Sequence, residues 1–133
     1  MSLSLTIQAA VFFRLEEAEE VFWSNLGMLT QLRHLNLGGC DVGGITVGPL
    51  KLGSAIMNMQ HLELLDLHSN LLGETYIDEP GSSIWSAIGQ LKGSLQHLDL
   101  DSNGIDATTF ATFSRETLFH LTQLTCLKYD IHG

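Results

Sequence analysis

Leucine recurs at fixed offsets inside four short segments of the chain. In LQHLDLDSNGI, residues 95–105, leucine stands at the first, fourth and sixth positions and asparagine stands at the ninth. Segments with similar spacing begin at residues 32, 62 and 124, so that consecutive segments are separated by 30, 33 and 29 residues. Such regular spacing indicates that the chain is built from internal repeats.

Hydrophobic and polar residues alternate within each segment, which predicts a short β-strand. Neighbouring side chains of a strand point to opposite faces, so we expect Leu98 and Leu100 in a core and His97 and Asp99 towards solvent. The N-terminal segment MSLSLTIQ alternates in the same way, although it lacks the leading leucine. We therefore predict an incomplete first repeat that is followed by four further repeats.

Between these segments the hydrophobic residues recur every three or four positions, which predicts four amphipathic helices. The helices are marked by Phe12, Leu15, Ala18, Phe22, Leu26 and Leu29; by Leu52, Ile56 and Met59; by Ile84, Ile88 and Leu91; and by Phe110, Phe113, Thr117, Leu118 and Leu121. We expect Pro49 near the start of the second helix, Ser82 or Ser83 as the N-cap of the third and Asp106 as the N-cap of the fourth. The polar segment 73–83 predicts a protruding loop.

The leucine spacing resembles the leucine-rich repeat family, whose motif is L-x-x-L-x-L-x-x-N/C. The ninth place holds Cys40, Asn70 and Asn103 in three segments, whereas the fourth segment departs from the motif with Tyr129 in the sixth place and His132 in the ninth. The long intervals resemble the ribonuclease-inhibitor-like class, which implies an α/β solenoid of four to five repeats. In that fold, parallel strands line the concave face of a right-handed, curved solenoid and helices cover the convex face. We also expect the ninth-place asparagines to stack as a ladder that satisfies backbone groups of the turns.

The length of the chain predicts a single leucine-rich repeat domain over residues 1–133. A solenoid needs terminal repeats with polar outer faces, but the last predicted strand is followed by no closing helix. We therefore expect this domain to be a segment of a longer solenoid that lacks at least the C-terminal cap. End-to-end self-association through the uncapped strands is the alternative.

Charge and cysteine content narrow the expected partners and location. Fifteen acidic and six basic residues give a net charge of −9, which disfavours nucleic acid and anionic membranes and favours a basic or mixed protein surface. No apolar run approaches the roughly 18 residues of a membrane span. Cys40 and Cys126 are predicted three strands apart, too far for a disulfide, and the chain has no N-x-S/T motif, so we expect an intracellular, cytoplasmic protein.

The side chains between the motif leucines form three aligned rows on the expected concave face. The third place holds His34, Leu64, His97 and Cys126, the fifth holds Asn36, Asp66, Asp99 and Lys128, and the seventh holds Gly38, His68, Asp101 and Asp130. The resemblance implies a protein-binding module, for which the predicted contact residues are His34, Asn36, Leu64, Asp66, His68, His97, Asp99, Asp101 and Lys128. Two neighbouring carboxylates about 5 Å apart would repel by about 1 to 3 kcal/mol, and a cation on the partner would relieve that repulsion.

Two other functions remain open at this stage. Some similar repeat proteins activate small GTPases through a loop arginine, but Arg14, Arg33 and Arg115 match no such motif. A His/Asp metal site on the concave face is the other alternative, although no short ligand motif such as HxxxH or CxxC supports it. We therefore predict no enzyme activity, no catalytic residue, no metal ligand and no cofactor.

Overall fold

The computed structural model describes residues 4–6, 16–42, 48–74 and 84–131 as alternating strands and helices. The strands are β1 (Ser4–Thr6), β2 (His34–Asn36), β3 (Leu64–Asp66), β4 (His97–Asp99) and β5 (Cys126–Lys128). The helices are α1 (Glu16–Leu26), α2 (Gly48–Ile56), α3 (Ile84–Gly89) and α4 (Ala107–Glu116), with short 3₁₀ turns at Leu72–Glu74 and Leu118–His120. Residues 12–15 of the first predicted helix, the Ser82 or Ser83 cap, residues 75–83 of the predicted loop and His132 lie outside the described residues.

The described strands form one parallel sheet in the order β1-β2-β3-β4-β5. The central residue of each strand pairs in register with that of the next, in the series Leu5, Leu35, Leu65, Leu98 and Leu127. Each strand therefore occupies the same place in its repeat, and a helix lies between consecutive strands along the chain. This arrangement is an α/β repeat solenoid, as the alternation of short strands and helices predicts.

The motif leucines form a continuous core under the sheet. In the repeats of β2, β3 and β4 they are at most 4% exposed, and helical side chains such as Ile56 and Ile88 complete the same cluster. Leu124 and Leu127 are only partly buried, because β5 has a neighbouring strand on one side only. A fully buried leucine contributes about 2 to 3 kcal/mol, so stacking of the repeats supplies most of the stability that a three-residue strand cannot have alone.

The predicted helix caps agree with the structure where it describes them. Pro49 is the second residue of α2, close to the N-terminus where a missing backbone N–H is tolerated. Asp106 caps α4, since its carboxylate accepts a hydrogen bond from the Thr109 N–H at 2.7 Å. Hydrogen bonds from Thr109 lower the pKa of the Asp106 carboxyl. This contribution to stability is therefore present at neutral pH and is lost as the pH falls through the carboxyl range.

The helices predicted from the sequence extend beyond the C-terminal ends that the structure gives for α1, α2, α3 and α4. Leu29, Met59 and Leu91 lie in the turns that follow α1, α2 and α3, and Leu121 follows the 3₁₀ turn after α4. Met59, Leu91 and Leu121 are nevertheless buried. Because the chain passes over the core as it returns to the next strand, hydrophobic contacts continue at helix-like spacing after the helical hydrogen bonds have ended.

The ninth-place asparagines form the expected ladder. The buried Asn103 amide donates through Nδ2 to three carbonyl oxygens and accepts at Oδ1 from two backbone N–H groups. The five bonds, to Leu67, Leu100, Asp101, Asn70 and Leu72, are 2.9–3.2 Å long. Asn70 repeats the pattern one strand earlier, where its Nδ2 donates to the Leu37 carbonyl and its Oδ1 accepts from the Val42 N–H. Each asparagine thus joins its own repeat to the preceding one.

A left-handed backbone residue stands on each side of the ninth place. The six residues concerned have φ between 56° and 72°, and they are Gly39, Asp41, Ser69, Leu71, Ser102 and Gly104. This conformation turns the chain out of the strand and around the ninth residue. Leu71 is the least suitable of them, because a side chain with no hydrogen-bonding group gains nothing that would offset the steric cost of positive φ.

We predict that Asn103→Asp lowers the free energy of unfolding by about 3 kcal/mol, because the carboxylate cannot donate to the three carbonyl oxygens and leaves them unsatisfied in the core. Asn36→Asp is the matched control, since Asn36 Oδ1 only accepts, from the Gly38 N–H at 2.9 Å. Its cost should be about 1 kcal/mol or less, from the added charge beside Asp66. Urea denaturation followed by circular dichroism measures both, and equal losses would contradict the ladder.

We further predict that Leu71→Gly is more stable than Leu71→Ala by about 1 kcal/mol, because only alanine retains the penalty of positive φ. The same exchange at exposed Ala111 in α4 should have the opposite sign, with glycine less stable by about 1 kcal/mol. Thermal denaturation of the four proteins compares the two positions. A destabilising Leu71→Gly relative to Leu71→Ala would exclude the left-handed turn at this position.

Candidate functional site on the strand face

The third, fifth and seventh places of the repeats form one surface, which we call the strand face. The sheet register aligns the third-place row as Ser4, His34, Leu64, His97 and Cys126 and the fifth-place row as Thr6, Asn36, Asp66, Asp99 and Lys128. All nine predicted contact residues are at least partly exposed on this surface. Ser4 and Thr6 extend the rows by one strand, and the alternation in MSLSLTIQ contained the signal for that extension.

The fifth-place side chains also end the strands. In three consecutive repeats the side-chain Oδ1 accepts a hydrogen bond from the backbone N–H two residues later. The pairs are Asn36 with Gly38 at 2.9 Å, Asp66 with His68 at 3.1 Å and Asp99 with Asp101 at 3.0 Å. These are Asx turns, which aspartate and asparagine form with equal ease. The sequence contains the signal for this structural task, because asparagine or aspartate recurs at the fifth place of three consecutive repeats.

His68 is held in place by a carboxylate and by a glycine of the preceding repeat. Its Nδ1 lies 2.6 Å from Asp66 Oδ1, a hydrogen bond that becomes an ion pair when the imidazole is protonated. The ring occupies the space where a Cβ of residue 38 would stand, so any side chain at Gly38 would overlap it. Gly38 therefore positions His68, a role that a hydrophobic pattern does not disclose because glycine has no side chain to count.

The carboxylates of Asp66 and Asp99 lie close together, as their shared row predicts. One oxygen of each and one ring nitrogen of His68 are within 4.8 Å of one another. Lys128 pairs with Asp99 in the sheet register, but among the described residues it makes no ion pair within 4.0 Å with that carboxylate. Among the described residues, His68 is the basic side chain that contacts Asp66, and this contact is an ion pair when the imidazole is protonated.

Two other features lie apart from the acidic pair. Asp130 of the seventh-place row accepts a hydrogen bond from the Ser102 N–H at 2.7 Å and supports the adjacent turn.

A cavity of about 470 Å³ lies between α1 and α2 and is lined by Trp23, Ser24, Gly27, Met28, Lys51, Ser54, Ala55 and Asn58. None of the predicted contact residues lines this cavity, so the strand face and the helical side are separate surfaces.

Cys40 and Cys126 do not form a disulfide with each other, in agreement with their predicted separation. Cys40 replaces asparagine in the ninth place of the β2 repeat, and burial raises the pKa of its thiol. A raised pKa keeps the thiol protonated and disfavours reaction with electrophiles. Cys40 is therefore a structural residue of the turn.

A comparison with known families identifies one of the repeats. Residues 94–115, which contain β4, the Asn103 turn and most of α4, match the family model described as Leucine Rich Repeat. This segment is similar to a leucine-rich repeat. Leucine-rich repeat domains generally mediate protein–protein interaction, which supports an interaction module. No curated protein and no solved structure matches the chain. Within the described ranges, no helix has the length and apolar character that crossing a bilayer requires.

We predict that Gly38→Ala displaces the His68 ring from Asp66 and lowers the free energy of unfolding by about 1 to 2 kcal/mol, because the new methyl group overlaps the imidazole. The loss should largely disappear in a His68→Ala background, since the obstructing ring is then absent. Gly93→Ala is the control, because nothing lies within 4 Å of a Cβ there. An equal loss with and without His68, measured by urea denaturation, would disprove the proposed contact.

Proposed function

We propose that the strand face binds a partner protein through a basic or mixed surface on that partner. The observation that carries this proposal is the pair of adjacent carboxylates, Asp66 and Asp99, on the partly exposed centre of the face. At this separation two charges repel by about 1 kcal/mol in water and by about 3 kcal/mol at an effective dielectric near 20. A lysine or arginine of the partner would convert that repulsion into attraction.

Backbone hydrogen bonds orient the Asp66 and Asp99 carboxylates before any partner binds. Asp66 and Asp99 each use Oδ1 in an Asx turn, so the backbone holds both groups in position before a partner arrives. Preorganised groups lose little side-chain freedom on binding, which preserves more of the interaction energy as affinity. A guanidinium group carries several N–H donors in one plane and can donate to two neighbouring carboxylate oxygens.

The neighbouring third-place row supports a mixed rather than a purely basic partner. Leu64 lies between His34 and His97 in the sheet register and is partly exposed. An apolar side chain between two imidazole rings offers a site that loses water at little cost. Interfaces commonly combine such a desolvated centre with a polar rim, which Asn36, Asp101 and Lys128 would supply here.

We further propose that residues 1–133 form a single, non-enzymatic domain of the ribonuclease-inhibitor-like class with four to five repeats. Support comes from full α-helices between the strands, such as α2 with 9 residues and α4 with 10. The partly buried Leu124 and Leu127 beside the edge strand β5 are consistent with a further stacked repeat or with end-to-end self-association.

The triple variant Asp66→Asn, Asp99→Asn and Asp101→Asn tests the acidic strand face. We expect it to weaken binding of the partner by at least about tenfold, with a smaller dependence on salt, because three charges leave the interface. The fold should be unchanged, since asparagine keeps the oxygen that accepts in the Asx turn, as Asn36 shows. The partner would be captured from cell extract, purified and titrated by calorimetry.

A charge-matched control separates local contact from overall charge. Glu17→Gln, Glu19→Gln and Glu20→Gln in α1 change the net charge by the same amount but lie in the helical layer. They should leave the affinity within about twofold, because these residues belong to none of the three rows of the strand face. Equal effects of the two triple variants, or an unaffected strand-face variant with native circular dichroism, would reject this proposal.

A further inference from the structure

We propose that Asp66, His68 and Asp99 form a binding site for a divalent transition-metal ion of the zinc or cobalt type. This site is additional to protein binding and does not depend on it. One carboxylate oxygen of each aspartate and one ring nitrogen of the histidine lie within 4.8 Å of one another. In the described part of the chain, no other three histidine, cysteine or acidic side chains bring their candidate ligand atoms this close together.

The separations are close to those of an occupied site. Zinc binds nitrogen and oxygen ligands at about 2.0 to 2.2 Å, so tetrahedral ligand atoms lie about 3.3 to 3.6 Å apart. Contracting a triangle with sides of 4.8 Å or less to that size requires each ligand atom to move by less than about 1 Å. His68 Nδ1 and Asp66 Oδ1, now 2.6 Å apart, would separate slightly as the metal replaces the proton between them. Rotation of the side chains suffices for these movements.

The backbone positions all three ligands in advance. The Asx turns of Asp66 and Asp99 engage Oδ1 of each carboxylate with the backbone N–H two residues later. The imidazole of His68 lies over Gly38, which fixes where the ring can stand. Asp66 and Asp99 are the paired last residues of β3 and β4, and His68 follows β3 by two residues. Preorganisation of this kind reduces the cost of assembling a metal site.

The sequence could not indicate this site through a ligand motif. Asp66 and His68 are separated by one residue, but Asp99 belongs to the next repeat and joins them only through the sheet register. Known short motifs place at least two ligands on one helix or one tight turn. Here the repeat length, rather than a local spacing, brings the third ligand into place.

The ligand types select the class of metal. Two carboxylates give the site a charge that a dication would balance, and water from the open face can complete the coordination. Side chains of Asp66 and His68 are 18% and 43% exposed, so an ion can reach them from solvent. An imidazole nitrogen favours zinc, cobalt or nickel, whereas magnesium and calcium prefer sites made entirely of oxygen.

Titration of the chelator-treated, tag-free chain with Co²⁺ tests the site, because four-coordinate Co²⁺ absorbs visible light far more strongly than the hexa-aqua ion. We expect saturation at one ion per chain and displacement of Co²⁺ by one equivalent of Zn²⁺. His68→Gln should weaken Co²⁺ binding by more than about tenfold, and Asp99→Asn should weaken it while keeping its Asx turn. His97→Gln removes an imidazole from the same face outside the cluster and should leave the dissociation constant unchanged.

Three results would overturn the proposal. They are the absence of saturable Co²⁺ binding, equal losses in His68→Gln and His97→Gln, and displacement of Co²⁺ by a modest excess of Mg²⁺. Circular dichroism of each variant shows whether the fold is retained, and Asp99→Asn provides a second variant if His68→Gln perturbs the β3 turn. Since no partner is present in this titration and the partner assay can be run with chelator, failure of one proposal is distinguishable from failure of the other.

Discussion

The fold depends on satisfying the backbone of a buried turn. After each of the strands β2, β3 and β4 the chain passes through two left-handed residues and leaves amide groups facing the core. In the β4 repeat Asn103 supplies both donors and acceptors for these groups, and some of its partners belong to the preceding repeat. A turn of this kind is complete only when its neighbour is stacked beside it. Stacking and local folding are therefore one cooperative event, in accordance with the nearest-neighbour character of repeat proteins.

The same interaction determines what the strand face presents. A strand has a side-chain period of two, so a slip of one residue would place Asp99 in the core and Leu98 in solvent. The asparagine ladder and the leucine core both oppose that slip, and the register they establish aligns Asp66 with Asp99. The acidic pair is thus a consequence of stacking two repeats whose fifth places are both aspartate. The Asx turns explain why aspartate is suitable there for the fold, and the proximity of the charges explains why the position can also bind a cation.

Leucine spacing was sufficient to predict the strands and their pairing, because it repeats with a period that only an ordered stack explains. It predicted the helix ends less well, since Met59 and Leu91 continue to contact the core after helical hydrogen bonding has stopped. The rows of the strand face followed from the register, but the position of the His68 ring did not. The position of His68 depends on the missing side chain of Gly38, 30 residues earlier.

Metal binding and partner binding would use the same carboxylates with opposite electrostatic effects. Without a metal, Asp66 and Asp99 make the centre of the strand face negative and suited to a lysine or arginine. A bound dication would cancel both charges and occupy the oxygens that a guanidinium would contact, so the two ligands should compete. The competition disappears only if the partner completes the coordination with a ligand of its own, for which the exposed side of the site leaves room. The sign of the coupling between metal and partner therefore depends on whether the partner brings a cation or a metal ligand to this position.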